Sequence, residues 1–365
     1  MTDLHRSSVL QNVQIEATLP RFSAARLLRA FLTVPALEAS FLLSLLGFVA
    51  LAGMLLFILT PVPLPAIGVG ILAYAFLPLI TGSVVWMLVT GVERALGIDE
   101  DAVHARLPWM LGTAMATSLA IPVYGMFKQY ILKSQGFPFD PALAAVDRFL
   151  FAGQDPWIIL HGLFGSVWFT ILVDRAYTIW AVILMACPVI WAAIVKDPAV
   201  RARLIGCWIG VWLLIGGVAA WLLASAGPIY YPHLVGPDHS FSMLHDRIVE
   251  LGQLAELAGS KLATPMGHVS LLNRYIEGTY VPGFGISAMP SVHVAMATLF
   301  AIGGFVVHRW IGWAMTAYAV LIWIGSIYLG WHYATDGIVG AAMTIGLWKL
   351  SGKLAEPFED RLRRS

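Results

Sequence analysis

The sequence predicts an all-α fold, a polytopic bundle of membrane-spanning helices, from its composition and from the spacing of its apolar runs. The 365-residue chain is 59% hydrophobic and 12% charged, with a mean hydropathy of +0.79. A soluble globular domain carries roughly 25% charged residues, so the composition excludes that class. Apolar runs of about 20 residues, long enough to cross a bilayer as a helix, recur along the chain. The net charge of +1 gives no reason to expect nucleic acid as a partner.

The apolar runs predict about eight transmembrane helices, with boundaries placed where each run meets polar residues. The expected spans are residues 36–60, 66–92, 107–127, 176–196, 202–226, 290–307, 310–329 and 334–350.

Two segments between these spans are expected to lie outside the bilayer core. The amphipathic stretch 140–164 predicts a short interfacial helix followed by a second, partly inserted helix. The polar stretch 227–289 predicts a long outer loop, with helical periodicity at 246–262. The expected organisation is a cytoplasmic or interfacial segment at 1–35, a membrane domain at 36–351 and a cytoplasmic tail at 352–365.

The distribution of lysine and arginine predicts the orientation of the bundle. Placing both termini in the cytoplasm puts most of the 22 lysines and arginines on the cytoplasmic side, as the positive-inside rule favours. His293 and His332 then both face the other side, which is periplasm, extracellular space or lumen.

Two histidine motifs near the C-terminus carry the most chemical information. The first reads Pro-Ser-Val-His and ends at His293, and the second reads Gly-Trp-His-Tyr-Ala-Thr-Asp and contains His332 and Asp336. The histidines are about 40 residues apart, which accommodates two spans and a short turn. Such a pair of spans returns the chain to the face it left, so both histidines are expected to share one phosphate.

The residue types in these motifs suit acid–base and nucleophilic chemistry. On a helix, His332 and Asp336 would share one face, where the carboxylate can accept an imidazole N–H and leave the other ring nitrogen as a nucleophile. Pro290 suits the first turn of a helix, which would place Ser291 and His293 in the same turn, near the free N–H groups that bind anions. Separately, each motif is also compatible with a structural polar pair or an interfacial histidine. Their combined order, spacing and sidedness favour a site.

The paired motifs resemble the type 2 phosphatidic acid phosphatase superfamily, which carries Pro-Ser-Gly-His followed by Ser-Arg-x5-His-x3-Asp. The core of the resemblance covers residues 283–340. It implies a phosphohistidine intermediate formed without a metal or cofactor. By this resemblance His332 is the nucleophile, Asp336 orients it, His293 is the general acid and Ser291 contacts the phosphate.

The sequence departs from that pattern in ways that resemble one branch of the superfamily. Val292 stands at the family glycine, Gly325 and Ser326 replace the Ser-Arg pair, and no Lys-x6-Arg-Pro occurs. Pro-Ser-x-His with His-Tyr-x-x-Asp is usual in the branch of inositol phosphorylceramide and sphingomyelin synthases. The Gly-Pro-Ile-Tyr-Tyr sequence ending at Tyr231 and the region 128–156 are similar to elements of that branch. The resemblance implies that Tyr231 and Tyr333 contact substrate.

Transfer of a lipid phosphate also needs cations to balance the charge on the phosphate oxygens. Lys128, at the outer end of the third span, and Arg274, shortly before the first motif, are the favoured candidates. Each also has a structural interpretation, as a snorkelling anchor and as a solvated loop residue. His233, His239 and His245 recur every six residues, a spacing that matches no familiar metal-ligand pattern, and no metal is expected.

The expected function is therefore a lipid phosphotransferase, with a phospholipid donor and a lipid alcohol acceptor. If water is the acceptor, the same residues make a lipid phosphate phosphatase, because the first half-reaction is identical. A transporter or scaffold is the third reading, although transporters place polar residues near the midplane rather than at one rim. The sequence carries no signal for the oligomeric state.

Overall fold

The chain folds into helices joined by short connections. The computed structural model describes residues 36–60, 62–95, 106–281 and 284–362. Within these ranges every regular element is a helix and no strand occurs, which confirms the all-α prediction. Lipid offers no hydrogen-bond partners, so the backbone of a membrane-spanning segment must pair its own N–H and C=O groups, and a helix does this. The N-terminal segment expected at 1–35 lies outside the described residues.

The principal helices are numbered here in chain order. They are α1 (Ala36–Leu59), α2 (Leu64–Ala95), α3 (Leu107–Met126), α4 (Asp140–Leu150), α5 (Pro156–Phe164), α6 (Val167–Ile194), α7 (Pro198–Gly210), α8 (His239–Leu257), α9 (Thr264–Glu277), α10 (Val292–Val307), α11 (Arg309–Tyr328) and α12 (Ala334–Leu362). Helix α3 continues as a π-helix over Phe127–Leu132 and a 3-10 turn over Lys133–Gln135, and α7 continues as a π-helix over Val211–Ala219.

Six helices in the described part of the chain are long and apolar enough to cross a membrane. They are Ala39–Leu59, Leu64–Val92, Leu107–Gln135, Val167–Ile194, Pro198–Leu222 and Arg309–Tyr328. Helix α10 is apolar but only 16 residues long. The predicted count of about eight spans is therefore not confirmed.

The surfaces of α1 and α2 match a lipid environment. Leu43, Ile58 and Leu72 are 68%, 70% and 73% exposed. Contiguous apolar surface of this kind is unfavourable in water, whereas lipid tails solvate it at no cost. Together with the apolar helices, these faces make the chain an integral membrane protein.

The fourth predicted span starts earlier than expected. Helix α6 begins at Val167 rather than near residue 176, and Ser166 caps its first turn. Asp174 lies inside this helix, fully buried, and its carboxylate accepts the N–H groups of Ala263 and Thr264 at 3.0 and 2.8 Å. The predicted boundary was wrong because a charged residue was taken as the end of a span, although its partners lie at the start of α9.

The segment predicted as a long outer loop is mostly helical. Helices α8 and α9 fill it, and Asp238 begins α8 by accepting the N–H of Phe241 at 3.2 Å. The stretch 140–164 forms α4 and α5, so its two predicted helices are present. We call α4, α5, α8 and α9 the cap helices. The expected tail at 352–365 is also helical as far as Leu362, because α12 runs through it.

The cap helices close over the end of the bundle where α10 and α12 begin. The buried side chains of Phe241 and Leu244 on α8 and Leu143 on α4 pack in one apolar cluster with Met289 and Tyr333, which precede α10 and α12.

A second, larger cluster around Trp208 and Phe300 fills the bundle itself. The two motif histidines lie at the junction between these clusters.

Candidate active site

The structure brings the two motif histidines into contact. His293 lies in the first turn of α10, and His332 lies in the connection between α11 and α12. The Nε2 atom of His332 is 3.4 Å from Nδ1 of His293, with the ring centroids 5.6 Å apart. His332 is buried, with 4% of its surface exposed, and His293 is partly buried. The two ring nitrogens therefore define one small polar site beneath the cap helices.

The orientation of His332 is set by a backbone carbonyl as well as by the expected carboxylate. Its Nδ1 lies 2.9 Å from the carbonyl oxygen of Ala288 and 3.4 Å from Oδ2 of Asp336. A carbonyl oxygen only accepts hydrogen bonds, so Nδ1 carries the proton and donates to Ala288. The Nε2 atom is then left with its lone pair directed toward His293, which is the tautomer that a nucleophilic imidazole requires.

His332 and Asp336 do not share a helix face, contrary to the expectation from their spacing. Helix α12 begins at Ala334, so His332 precedes it. Asp336 folds back instead, and its Oδ2 accepts the N–H of Tyr333 at 3.0 Å. The two side chains meet because the carboxylate caps its own helix, whose first N–H groups have no intrahelical partner.

Asp336 also joins the two motifs. Its backbone carbonyl accepts the N–H of Ser291 at 3.0 Å. The carboxylate is fully buried, and its Oδ1 has no hydrogen-bond partner among the described residues. Burial raises the pKa of the Asp336 carboxyl well above its usual value, so a positive charge on the adjacent imidazole would favour its ionised form. In that form the carboxylate beside the His332 ring can stabilise a positive charge that develops on the imidazole.

The surroundings of His332 keep its ring neutral. Burial lowers the pKa of His332, and the nearby Lys128 ammonium lowers it further, to about 3, against the opposing effect of the bond to Ala288. The neutral form with a free Nε2 is therefore the form present at physiological pH.

His293 is held between two aromatic rings of α6. Tyr177 stacks on it with a centroid distance of 4.7 Å, and Trp180 lies 4.2 Å away on a tilted plane. The Nε1–H of Trp180 also donates to the backbone carbonyl of His293 at 3.0 Å. Sequence reasoning missed both aromatics, because two apolar residues three positions apart on a helix are typical of any buried face.

The start of α10 differs in one detail from the sequence prediction. Ser291 is the N-cap, with its Oγ accepting the N–H of Val294 at 3.4 Å, and Pro290 precedes the helix rather than occupying its first turn. Ser291 is fully buried. Val292, at the family glycine, packs against Gly216, where an added Cβ would lie 3.0 Å from the valine methyl group. Glycine in the π-helical extension of α7 therefore makes room for the larger side chain.

Two buried carboxylates of α4 brace the second motif. Asp147 accepts the N–H groups of Ala334 and Thr335 at 2.6 and 3.0 Å, together with the Thr335 hydroxyl. Asp140 accepts the hydroxyl of Tyr333 at 2.8 Å. Burial raises the pKa of both carboxyls, although these hydrogen bonds lower it. The three residues that follow His332 are thus fixed to one cap helix.

Asp140 also fixes the glycine-containing element near Tyr231. Its carboxylate accepts the N–H groups of Ala226 and Gly227 at 2.7 and 2.9 Å. Gly227 has a φ of +97°, and a Cβ there would approach the Trp331 carbonyl oxygen to 2.6 Å, so only glycine fits. The chain segment before Tyr231 therefore packs directly on the segment before His332.

The remaining predicted substrate residues lie in different surroundings. Tyr333 is buried with its hydroxyl bound to Asp140, and Tyr231 is partly buried against Phe241, with ring centroids 5.0 Å apart. Lys128 and Arg274 line a shared cavity of about 370 Å³. The ammonium of Lys128 lies 5.8 Å from the centroid of the Tyr124 ring, and its charge contributes to the lowered pKa of His332.

The arrangement offers no assembled metal site in the part of the chain that the structure describes. No group of three or more His, Cys, Asp or Glu side chains there could hold an ion. Two of the evenly spaced histidines, His233 and His245, pack edge to face with centroids 5.5 Å apart.

Fold and site together define an integral membrane protein with a buried histidine pair suited to phosphoryl chemistry. The family model of the PAP2 superfamily matches residues 141–350, more than half of the chain, and the protein belongs to that superfamily. Its members are generally phosphatases or phosphotransferases, consistent with an enzyme that acts on lipid phosphates. No curated protein and no solved structure matches the chain.

Proposed function

We propose that the protein is a membrane lipid phosphotransferase that acts through a phosphohistidine on His332. It would move a phosphoryl head group from a phospholipid to a lipid alcohol, in the manner of inositol phosphorylceramide synthase. The observation that carries the proposal is the neutral, buried His332, whose unprotonated Nε2 lies 3.4 Å from His293 while Ala288 holds its other nitrogen.

In the first half-reaction Nε2 of His332 attacks the donor phosphorus in line with the leaving oxygen. A P–N bond forms, and the P–O bond to the lipid alcohol breaks. His293 takes up a proton when the anionic phosphate binds beside it, and it donates that proton to the departing oxygen. A phosphorus atom bonded to Nε2 needs more space than a 3.4 Å gap offers, so the two rings separate when substrate binds. Asp336 stabilises the positive charge on the phosphorylated ring, and Lys128 offsets charge on the phosphate oxygens.

In the second half-reaction the acceptor alcohol attacks the phosphohistidine. His293 removes the acceptor proton, the P–N bond breaks, and the new P–O bond leaves His332 neutral again. No metal enters either step. The site would lie on the outer face of the membrane, with both termini in the cytoplasm, as the distribution of lysine and arginine favours.

Two observations favour a lipid alcohol over water as the acceptor. His332 is only 4% exposed beneath the cap helices, and excluding water protects a phosphohistidine from hydrolysis. Ser326, at the position of the family arginine, is buried and donates its hydroxyl to the carbonyl of Trp323 at 2.7 Å, so this cation of the phosphatase pattern is replaced by a structural residue.

The test uses the full-length protein in liposomes without added metal, with labelled phosphatidylinositol and either ceramide or diacylglycerol. Labelled product on the acceptor, lost in His332→Gln and retained in the exposed-residue control His233→Gln, is the expected result. Free phosphate from phosphatidic acid, with no transfer to a lipid acceptor, would show a phosphatase instead. Undiminished turnover in His332→Gln would rule out the phosphohistidine. If neither protein turns over lipid, and both carry a solute across the membrane at the same rate, the protein is a transporter.

A further inference from the structure

A cavity that includes Lys128 in its wall is lined by three cationic side chains. It has a volume of about 370 Å³ and lies between the extension of α3 and the C-terminal half of α9. Lys128, Lys133, Arg274 and Tyr275 are among its lining residues, and none of the described residues that line it carries a carboxylate. We call the space bounded by these four residues the cationic pocket.

Lys128 connects the cationic pocket to the catalytic centre. Its charge acts on His293 and His332, and its stem passes over Gly285, where a Cβ would lie 2.9 Å from the lysine Cγ. Gly285 has a φ of +145°, which disfavours any side chain at that position. Gly285, between α9 and α10, thus leaves room for the aliphatic stem of Lys128.

Lys133 and Arg274 are each held by a contact to α9. The Lys133 ammonium donates to the Tyr275 carbonyl and lies 4.3 Å from the centroid of the Tyr275 ring. The Nε–H of Arg274 donates to the Ser270 hydroxyl at 3.1 Å. Each contact uses one donor, so further N–H groups of the ammonium and the guanidinium remain for a ligand.

Carboxylates of the described residues do not pair with the charges of the cationic pocket. None of Lys128, Lys133 and Arg274 forms an ion pair with a carboxylate in the described part of the chain. Arg148, by contrast, is fully engaged by Asp155 and Asp238. Three unpaired cations around one concave space attract an anion, because the low-dielectric walls concentrate their field.

We propose that the cationic pocket binds a second anionic group of the phosphoryl donor, a phosphate or carboxylate apart from the phosphoryl group under attack. Lys128 would bind both the phosphoryl group under attack and the second anionic group. Lys133 and Arg274 would bind only the second anionic group. The proposal rests on the proposed function in taking His332 as the point of attack. It implies that donors with an additional phosphate bind more tightly than otherwise identical donors, and that a quaternary amine head group is disfavoured.

A soluble probe tests the pocket without requiring turnover. Inorganic pyrophosphate would be titrated calorimetrically into the full-length protein, its Lys133→Gln/Arg274→Gln variant and the control Lys261→Gln, an exposed lysine that does not line the cavity. We expect the double variant to bind about tenfold more weakly or worse, and the control to bind like the wild type. Equal affinity in all three proteins, or equal loss in the control, would overturn the proposal.

A lipid arm distinguishes a head group from a free phosphate as the natural occupant. The protein would be placed in phosphatidylcholine nanodiscs containing phosphatidylinositol or phosphatidylinositol 4-phosphate, which differ by one phosphate, and bound lipid would be measured by native mass spectrometry. Preferential retention of the 4-phosphate lipid, lost in the double variant and displaced by pyrophosphate, is expected. Pyrophosphate binding without displacement of that lipid would contradict a head-group site. If His332→Gln keeps its turnover, only the proposed function is contradicted, because neither binding measurement depends on the reaction.

Discussion

The carbonyl oxygen of Ala288 accepts the Nδ1–H of His332 at 2.9 Å, a shorter contact than the 3.4 Å to the Asp336 carboxylate. A backbone group therefore fixes the tautomer of the proposed nucleophile, and the carboxylate is left to stabilise charge. In many enzymes one carboxylate both fixes the histidine tautomer and stabilises its positive charge. Because two different groups provide these effects here, mutation can measure each one separately.

Replacing Asp336 by asparagine should lower turnover without abolishing it. The amide oxygen can still accept the Tyr333 N–H, and Ala288 still holds the His332 tautomer, so the loss reflects the missing negative charge. We expect a decrease of about 10²-fold in kcat, the scale of one electrostatic contact to a developing charge. Steady-state assays of lipid transfer would measure it. A loss as complete as that of His332→Gln would mean that Asp336, and not Ala288, sets the tautomer.

Removing the Asp147 carboxylate should both destabilise the protein and slow the reaction. Asp147→Ala leaves the buried N–H groups of Ala334 and Thr335 without partners, at a cost of about 2 kcal/mol. Asp147→Asn retains one acceptor oxygen and should lose less. Thermal unfolding in detergent and kcat would be compared across the pair. If Asp147→Ala unfolds like the wild type, the carboxylate does not anchor α12.

A close approach between α12 and α10 predicts a position-specific effect of alanine. A Cβ on Gly340 would lie 2.6 Å from the Ser291 carbonyl oxygen, whereas a Cβ on Gly346 of the same helix meets nothing within 4 Å. Gly340→Ala should therefore destabilise the fold by about 1–3 kcal/mol and reduce turnover, because it displaces Ser291. Gly346→Ala should be neutral or stabilising by about 0.5–1 kcal/mol. Identical unfolding temperatures for the two variants would contradict the observed packing.

The buried histidine of α9 should make the protein sensitive to acid. His268 packs against Trp331 with ring centroids 4.1 Å apart, and burial lowers its pKa to about 3. Because its folded pKa lies below the unfolded value of about 6.5, only the unfolded chain takes up this proton as pH falls from 6.5 toward 3, so stability decreases over that window.

His268→Phe should remove that acid sensitivity in part. Between pH 7.5 and pH 5, His268 lowers the free energy of unfolding of the wild type by about 2 kcal/mol. Over the same pH change, the free energy of unfolding of the variant should fall by about 2 kcal/mol less. Denaturant midpoints at the two pH values would measure the difference for each protein. Equal changes in wild type and variant would show that His268 titrates normally in the folded state.

Composition and motif spacing identified this chain as a membrane protein and pointed to the two histidines of its candidate site. Composition excluded a soluble domain, and the spacing between His293 and His332 predicted that both rings would lie at one face, close enough to share one phosphate. The structure places their ring nitrogens 3.4 Å apart. These inferences succeed because helix length and bilayer thickness are fixed quantities that a linear pattern can be measured against.

The surroundings of those rings depend on how the helices pack, which the sequence pattern does not reveal. The Ala288 carbonyl carries no residue signature, since every residue has one, and Asp147 meets Thr335 across 188 positions of sequence. The aromatic rings of Tyr177 and Trp180 are indistinguishable in sequence from ordinary core residues. Contacts made by backbone groups, or between helices from distant parts of the chain, produce no periodic pattern in the sequence. In this protein such contacts set the tautomer, charge and position of the histidine pair.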